Sequence, residues 1–310
     1  MEYVLLIVGF ILLIKGADFF VDGASSVAGK LKVPSLIIGL TVVSIGTSLP
    51  EAAVSISASL GGNNAISLGN VIGSNIFNLL VVVGVASVIL PVAADSDIVK
   101  RDMPINIGLT ALLFIMFIDQ KLSRIEAIIL LVLLVAYLTL LICSALKKKS
   151  RASELKILSW PKSIIFIVLG ACAIIGGGEL VVNSATAIAT SLGMSETLVG
   201  LTVVALGTSL PELVTSAVAA KKGNSGIAMG NVVGSCILNI LFILGLAGSI
   251  CPLKAGTEFF IDTAILLVTC IIVFAFTRKK VNRAEGIICL ILYVAYTAYI
   301  IMRAYNIWIF

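Results

Sequence analysis

The chain contains no histidine, and charged side chains make up only 12% of its 310 residues. The absence of histidine excludes a zinc hydrolase of the HExxH type and leaves carboxylates as the only plausible proton relay. So little charge, about half the share found in soluble domains, excludes a soluble globular class as well. The 60% hydrophobic content and mean hydropathy of +1.19 are those of a polytopic membrane protein. Cysteine is present but unpaired in spacing: Cys143, Cys172, Cys236, Cys251, Cys270 and Cys289 fall in or beside apolar runs, which indicates neither a disulfide framework nor a zinc site. No GxGD-type aspartate pair supports an intramembrane peptidase. The net charge of +5 would suggest nucleic acid or another acidic partner in a soluble protein, but here the basic residues sit in short loops, where they set orientation instead. The start of the chain carries Glu2 rather than a basic segment and reads as a first membrane helix, not as a removable signal peptide.

What is there in abundance is apolar sequence long enough to cross a bilayer, at about 20 residues per crossing. Ten helices are expected, near 3–28, 33–60, 64–91, 101–119, 123–146, 161–191, 195–220, 224–251, 258–277 and 282–304. One polar connection divides them, giving an N-terminal five-helix repeat (1–146), a basic linker (147–160) and a C-terminal five-helix repeat (161–310). The halves are related at an offset of 161 residues. Gly39 to Glu51 set against Gly200 to Glu212 is identical at 11 of 13 positions without a gap, and the register continues from Gly69-Asn70-Val71-Ile72-Gly73-Ser74 to Gly230-Asn231-Val232-Val233-Gly234-Ser235.

An odd number of crossings per repeat inserts the second half upside down. If the linker is cytoplasmic, 16 Lys and Arg residues lie inside against four outside (Lys121, Arg124, Lys254 and Arg303), which predicts a multi-pass protein of the plasma or inner membrane with both termini outside.

Two motifs interrupt the apolar pattern, each present twice. The first is Gly46-Thr47-Ser48-Leu49-Pro50-Glu51 and its copy Gly207-Thr208-Ser209-Leu210-Pro211-Glu212. Proline removes a backbone donor and breaks the helix in mid-membrane, freeing carbonyls that lipid cannot satisfy. A bound cation is one partner for them, alongside the hydroxyls and carboxylate that follow; the bland alternative is a kinked helix packed through small residues, its glutamate paired to a neighbour. The second motif is Gly69-Asn70-x-x-Gly73-Ser74-Asn75-x-x-Asn78 with Gly230-Asn231-x-x-Gly234-Ser235-Cys236-x-x-Asn239. Its glycines permit close helix approach. Asn70 and Asn231 read equally well as interhelical glue or as site residues, whereas Ser74, Asn78, Ser235 and Asn239 read as a site lining. Glu51 and Glu212, the hydroxyls and the amides form a hard, all-oxygen inventory suited to Ca2+ and Na+. Two carboxylates balance one Ca2+ or two Na+ but not both loads, a physical basis for exchange by competition.

The paired GTSLPE and GNxxGSxxxN segments resemble the alpha-repeats of the calcium/cation antiporter superfamily, and within it the prokaryotic sodium/calcium exchangers. The resemblance covers essentially the whole chain. It implies ten helices, with helices 2, 3, 7 and 8 forming the ion-binding core, and an antiporter that exchanges Na+ for Ca2+ by alternating access. By that analogy Glu51, Glu212, Thr47 and Thr208 bind Ca2+. The carbonyls of Ser44 and Ala205, with Ser48, Ser209, Ser74 and Ser235, serve Na+, and Asn78 and Asn239 complete the central site. It further implies that helices 1 and 6, carrying Gly16 and Gly177, slide across the rest. Several family members carry Asp where this chain has Asn239, which leaves stoichiometry and proton coupling open; Cys236 in place of Asn75 reads as a packing difference.

The nearest alternative is a proton/calcium exchanger using the same glutamates; a cation channel fits inverted symmetry less well. No enzyme activity and no cofactor are expected, with Ca2+ and Na+ as transported ions and the lipid bilayer as surroundings. No obligate protein partner is evident. Asp18 and Glu179 read as entrance linings or backbone-bonded groups, Lys15 as a partner for Asp18 or a snorkelling side chain, and Tyr3, Trp160 and Trp308 as interfacial anchors.

Overall fold

In lipid a spanning segment must satisfy its own backbone, so long apolar runs fold as helices. The computed structural model, which describes residues 1–147, 157–193, 205–254 and 256–304, shows eight continuous helices long and apolar enough to cross a membrane. They are α1 (Glu2–Leu31), α4 (Asn64–Ile89), α5 (Ile98–Asp119), α6 (Arg124–Lys147), α7 (Trp160–Ser191), α10 (Ser225–Ile250), α11 (Thr257–Thr277) and α12 (Arg283–Arg303). A ninth span is broken: α2 (Ser35–Thr47) and α3 (Leu49–Leu60) meet at Ser48 with a bend of 49°. The tenth expected span, 195–220, lies partly outside the described residues; its described part is a short turn α8 (Ala205–Gly207) followed by α9 (Leu210–Lys221). Most of the basic linker, and Trp308, also lie outside them.

Burial sorts the helices. In the apolar stretch of α10, 94% of residues are buried, against 11% in α12, so α10 is core and α12 faces lipid. Helices α1 and α7, which correspond at the repeat offset, pack along each other in opposite directions: Ser26 Oγ meets Ser163 Oγ at 2.9 Å at one end, and Gly9 lies against Gly177 and Val181 towards the other. Equivalent helices running antiparallel are the inverted repeat seen directly. Their contact is backbone to backbone, since a Cβ on Gly16 would stand 2.9 Å from the Ile174 nitrogen and one on Gly177 would stand 2.8 Å from the Leu13 nitrogen. Gly16 and Gly177 therefore lie on the mutual face of this pair. The α1 side of the pair leans on the first break, where the Phe20 ring covers Gly46.

Two small antiparallel sheets join the halves. Strand β1 (Val92–Ala93) pairs with β4 (Lys280–Val281), and β2 (Lys121–Leu122) pairs with β3 (Leu253–Lys254), with Val92 opposite Val281 and Lys121 opposite Lys254. Each repeat also buries one aspartate beside an arginine: Asp102 with Arg101 at 2.8 Å, and Asp262 with Arg303 at 2.9 Å. The expected pairing of Asp18 with Lys15 is corrected. Lys222, in the connection between α9 and α10, reaches Asp18 Oδ1 at 3.2 Å, the Asp18 carbonyl at 2.9 Å and Asp22 Oδ1 at 2.7 Å, while Lys15 and Glu179 are exposed. Trp160 is exposed at its helix end, with the Lys30 ammonium 4.8 Å from the ring centre.

Candidate functional site

Each hexapeptide breaks its helix in the same way. Ser48 (φ −84°, ψ 6°) and Ser209 (φ −91°, ψ 4°) leave the helical region just ahead of Pro50 and Pro211, which occupy the first turn of α3 and α9. A proline there starts the second helix without loss but gives the Gly46 and Gly207 carbonyls no donor one turn ahead. Glu51 and Glu212 follow in the first turn, where the helix dipole favours a carboxylate. The neighbouring helices add a second irregularity: π-helical turns run from Asn78 to Val82 in α4 and from Asn239 to Leu244 in α10, and another spans Gly39–Val43 in α2. Such single wide turns re-aim side chains and recur at functional sites.

The two halves then exchange partners. Ser48 Oγ donates to Glu212 Oε1 at 3.0 Å and lies 3.0 Å from Ser235 Oγ; Ser209 Oγ donates to Glu51 Oε1 at 3.0 Å and lies 2.9 Å from Ser74 Oγ. Ser48, Glu212 and Ser235 thus form one buried cluster and Ser209, Glu51 and Ser74 its mirror, Glu51 and Glu212 each being 1% exposed. Thr47 Oγ1 donates across the interface to Asn231 Oδ1 at 3.0 Å, and Thr208 Oγ1 to Asn70 Oδ1 at 3.3 Å. The Ser44 carbonyl accepts from the Ser48 amide at 3.0 Å and from the Thr47 hydroxyl at 3.4 Å, so it borders the network but already has partners. Ala205 opens α8, one turn ahead of the second break.

Asn70 and Asn231 act as interhelical glue beside the glutamates. Asn70 Nδ2 donates to the Glu51 carbonyl at 3.1 Å and to Ser55 Oγ at 2.8 Å; Asn231 Nδ2 donates to the Glu212 carbonyl at 3.4 Å and to Ser216 Oγ at 2.9 Å. They hold the broken helices in place and orient the threonines. Sequence reasoning missed Ser55 and Ser216, although they stand at the same 161-residue offset as the glutamates and one turn beyond them.

What the network leaves over is informative. Among the described residues, Glu51 Oε2, Glu212 Oε2, Asn78 Oδ1, Asn78 Nδ2 and Asn239 Oδ1 are buried without a hydrogen-bond partner. An unpaired buried carboxylate costs several kcal/mol, and native proteins rarely leave such groups empty-handed. Neither glutamate has an ion-pair partner among the described residues. Oxygens of two carboxylates and two amides are thus left buried near the helix breaks, free to accept from a cation, a proton or water.

A family model described as "Sodium/calcium exchanger protein" matches residues 1–143 and 162–302, nearly the whole chain and both halves. The chain belongs to this family. The exchanger family match is joined by full-length relatives: the sodium/calcium exchanger MaX1 of Methanosarcina acetivorans is 36% identical, over 95% of this chain and 97% of that protein. The putative antiporter CaxA of Alkalimonas amylolytica is 35% identical over 94% of this chain and 96% of its own length. Among solved structures, the sodium-calcium exchanger NCX_Mj, soaked with Na+ and Ca2+, superimposes with a TM-score of 0.86 at 32% identity, covering 96% of this chain and 97% of that one.

Proposed function

We propose that this protein is a secondary antiporter that exchanges Na+ for Ca2+ across the plasma or inner membrane at one site shared by its two inverted halves. The observation that carries the reading is the set of partnerless oxygens on Glu51, Glu212, Asn78 and Asn239. Hard oxygens of carboxylates, amides and hydroxyls suit Ca2+ and Na+ as cargo. Glu51 and Glu212 supply two negative charges, which neutralise one Ca2+ or two Na+. Loading with one ion therefore removes the electrostatic reason to hold the other. Thr47, Thr208, Ser48, Ser209, Ser74 and Ser235 provide neutral oxygens that replace hydration, and Ser44 and Ala205 border the Na+ positions. No chemistry on a substrate is required of any of them.

The topology follows from parity. Paired strands lie on one face of the membrane, so an even number of crossings must separate them. Five complete spans (α5, α6, α7, α10 and α11) separate β1 from β4, and three (α6, α7 and α10) separate β2 from β3. Both counts are odd, and both become even if the segment that contains α8 and α9 also crosses. The Lys222 contacts with Asp18 and Asp22, in the second half of α1, support one further crossing formed by α2 and α3 together. Ten crossings put both termini on one face and the basic linker on the other, which makes the termini extracellular by the positive-inside rule.

The test is radiocalcium uptake into proteoliposomes under an imposed Na+ gradient, with a pH gradient in parallel vesicles. Uptake driven by Na+ is expected; uptake driven only by the pH gradient, or none, would overturn the reading.

A further inference from the structure

The two halves differ at one buried contact beside the site. Asn75 Nδ2 donates to the Cys236 carbonyl at 3.2 Å, and Asn75 Oδ1 accepts from Asn239 Nδ2 at 3.0 Å. Both asparagines are 1% exposed. The equivalent of Asn75 in the second half is Cys236, whose thiol reaches only the Asn75 carbonyl, at 3.8 Å. Asn78, the counterpart of Asn239, therefore has no amide facing it, and both its polar atoms lack a partner among the described residues.

This is more than a packing difference. With its Nδ2 committed to a backbone carbonyl, Asn75 can present only an oxygen to Asn239. An oxygen is satisfied only by a donor, so Asn239 must turn its Nδ2 to Asn75 and keep Oδ1 as its free atom. We infer that Asn75 is a positioning residue: it fixes the Asn239 amide so that the oxygen is the atom offered to the transported cation, and it makes position 239 an uncharged one, because a carboxylate there would face the Asn75 oxygen. Asn78 has no such clamp and must select its oxygen when the ion arrives. The site therefore joins one preset amide ligand to one adjustable amide ligand. The inference rests on the reading of Asn239 as an ion ligand.

Pre-organised ligands bind more tightly because less order is imposed on binding. Replacing Asn75 with Leu keeps the number of side-chain heavy atoms and removes both hydrogen bonds. The purified protein is titrated with Ca2+ by calorimetry, and the half-saturating Ca2+ concentration and maximal rate of Na+-driven uptake are measured in proteoliposomes. Asn75→Leu is expected to weaken Ca2+ binding and raise half-saturation about tenfold, the scale of one buried hydrogen bond, with the maximal rate changed by less than about twofold. Cys236→Asn, which places an amide opposite Asn78, is expected to tighten Ca2+ binding about threefold, a smaller gain of the same kind. Unchanged affinity in Asn75→Leu, or a loss of maximal rate alone, overturns the inference, since a purely structural role would lower active protein without moving affinity. Where Asn75→Leu does not fold, Cys236→Asn decides: tighter binding supports the clamp and unchanged or weaker binding refutes it. Failure of the unmodified protein to bind Ca2+ would instead sink the transport reading itself.

Discussion

The two hexapeptides and the two amide pairs follow different rules of symmetry. The hexapeptides are matched bond for bond: Ser48 to Glu212 is mirrored by Ser209 to Glu51, and Thr47 to Asn231 by Thr208 to Asn70. One helix further in, the symmetry stops, because Asn75 bonds Asn239 while Cys236 offers Asn78 nothing comparable. Each carboxylate takes a serine from the opposite half, with Ser235 a further donor to Glu212, and the larger divergence lies at the amides. Charge compensation is common to both orientations of an inverted repeat, so it is kept symmetric. In the proposed exchange, selectivity among ions of similar charge is left to the neutral oxygens, which are free to differ.

The comparison can be broken at its symmetric part first. Glu51→Gln and Glu212→Gln should each abolish Ca2+ transport, because a desolvated divalent ion would be left half compensated; residual uptake above about a tenth of the unmodified rate in one variant but not the other would show that the carboxylates are not equivalent. Next in size are the asparagines that brace the breaks. Asn231→Ala and Asn70→Ala each remove a threonine's acceptor across the interface and the amide that donates to a serine hydroxyl and a carbonyl, at about 1–3 kcal/mol. The Asn231 variant should lose more stability in thermal melts, since Asn231 is fully buried and Asn70 is only partly so. Asn239→Asp should keep some transport but make uptake more pH-sensitive than in the unmodified protein, because a carboxyl takes up and releases protons and an amide cannot; an unchanged pH profile would count against Asn239 as a ligand. The smallest effect belongs to Lys222→Ala. Its partners Asp18 and Asp22 are solvent-accessible, and such pairs are worth about 0–1 kcal/mol, so uptake should change by less than about threefold, with a larger change at low salt than at high salt.

How far these features could be read from the chain alone depended on whether they leave a period or a breaker behind. Apolar length placed the spans: the expected 64–91 is observed as Asn64–Ile89, and the expected 258–277 as Thr257–Thr277. Gly46 and Pro50 announced the broken helix because no apolar helix tolerates them idly. The repeat offset told which residues are equivalent, and from that the meeting of Glu51 with the other half followed. It could not tell which atoms meet across the axis. The Thr47–Asn231 bond spans 184 residues with no local trace, so Asn231 stayed ambiguous between glue and site. The π-helical turns at Asn78 and Asn239 have no composition of their own, and the two-residue strands are too short to show alternation. Asn75 looked like a packing variant because its partner Asn239 lies 164 residues away. Lys15 was matched to Asp18 by helical spacing, but the interhelical Lys222 occupies that carboxylate.

The pairing of β1 with β4 and of β2 with β3 has a mechanical consequence. Each staple ties a loop of one half to a loop of the other, with one staple at each end of α5, so α5 and α11 are joined to each other at both ends. Neither α1 nor α7 adjoins a strand of either staple, and the two pack on each other along a seam of glycines. Under alternating access in the proposed exchange, the glycine seam gives α1 and α7 a smooth face to slide on, while the staples keep α5 and α11 at a fixed spacing.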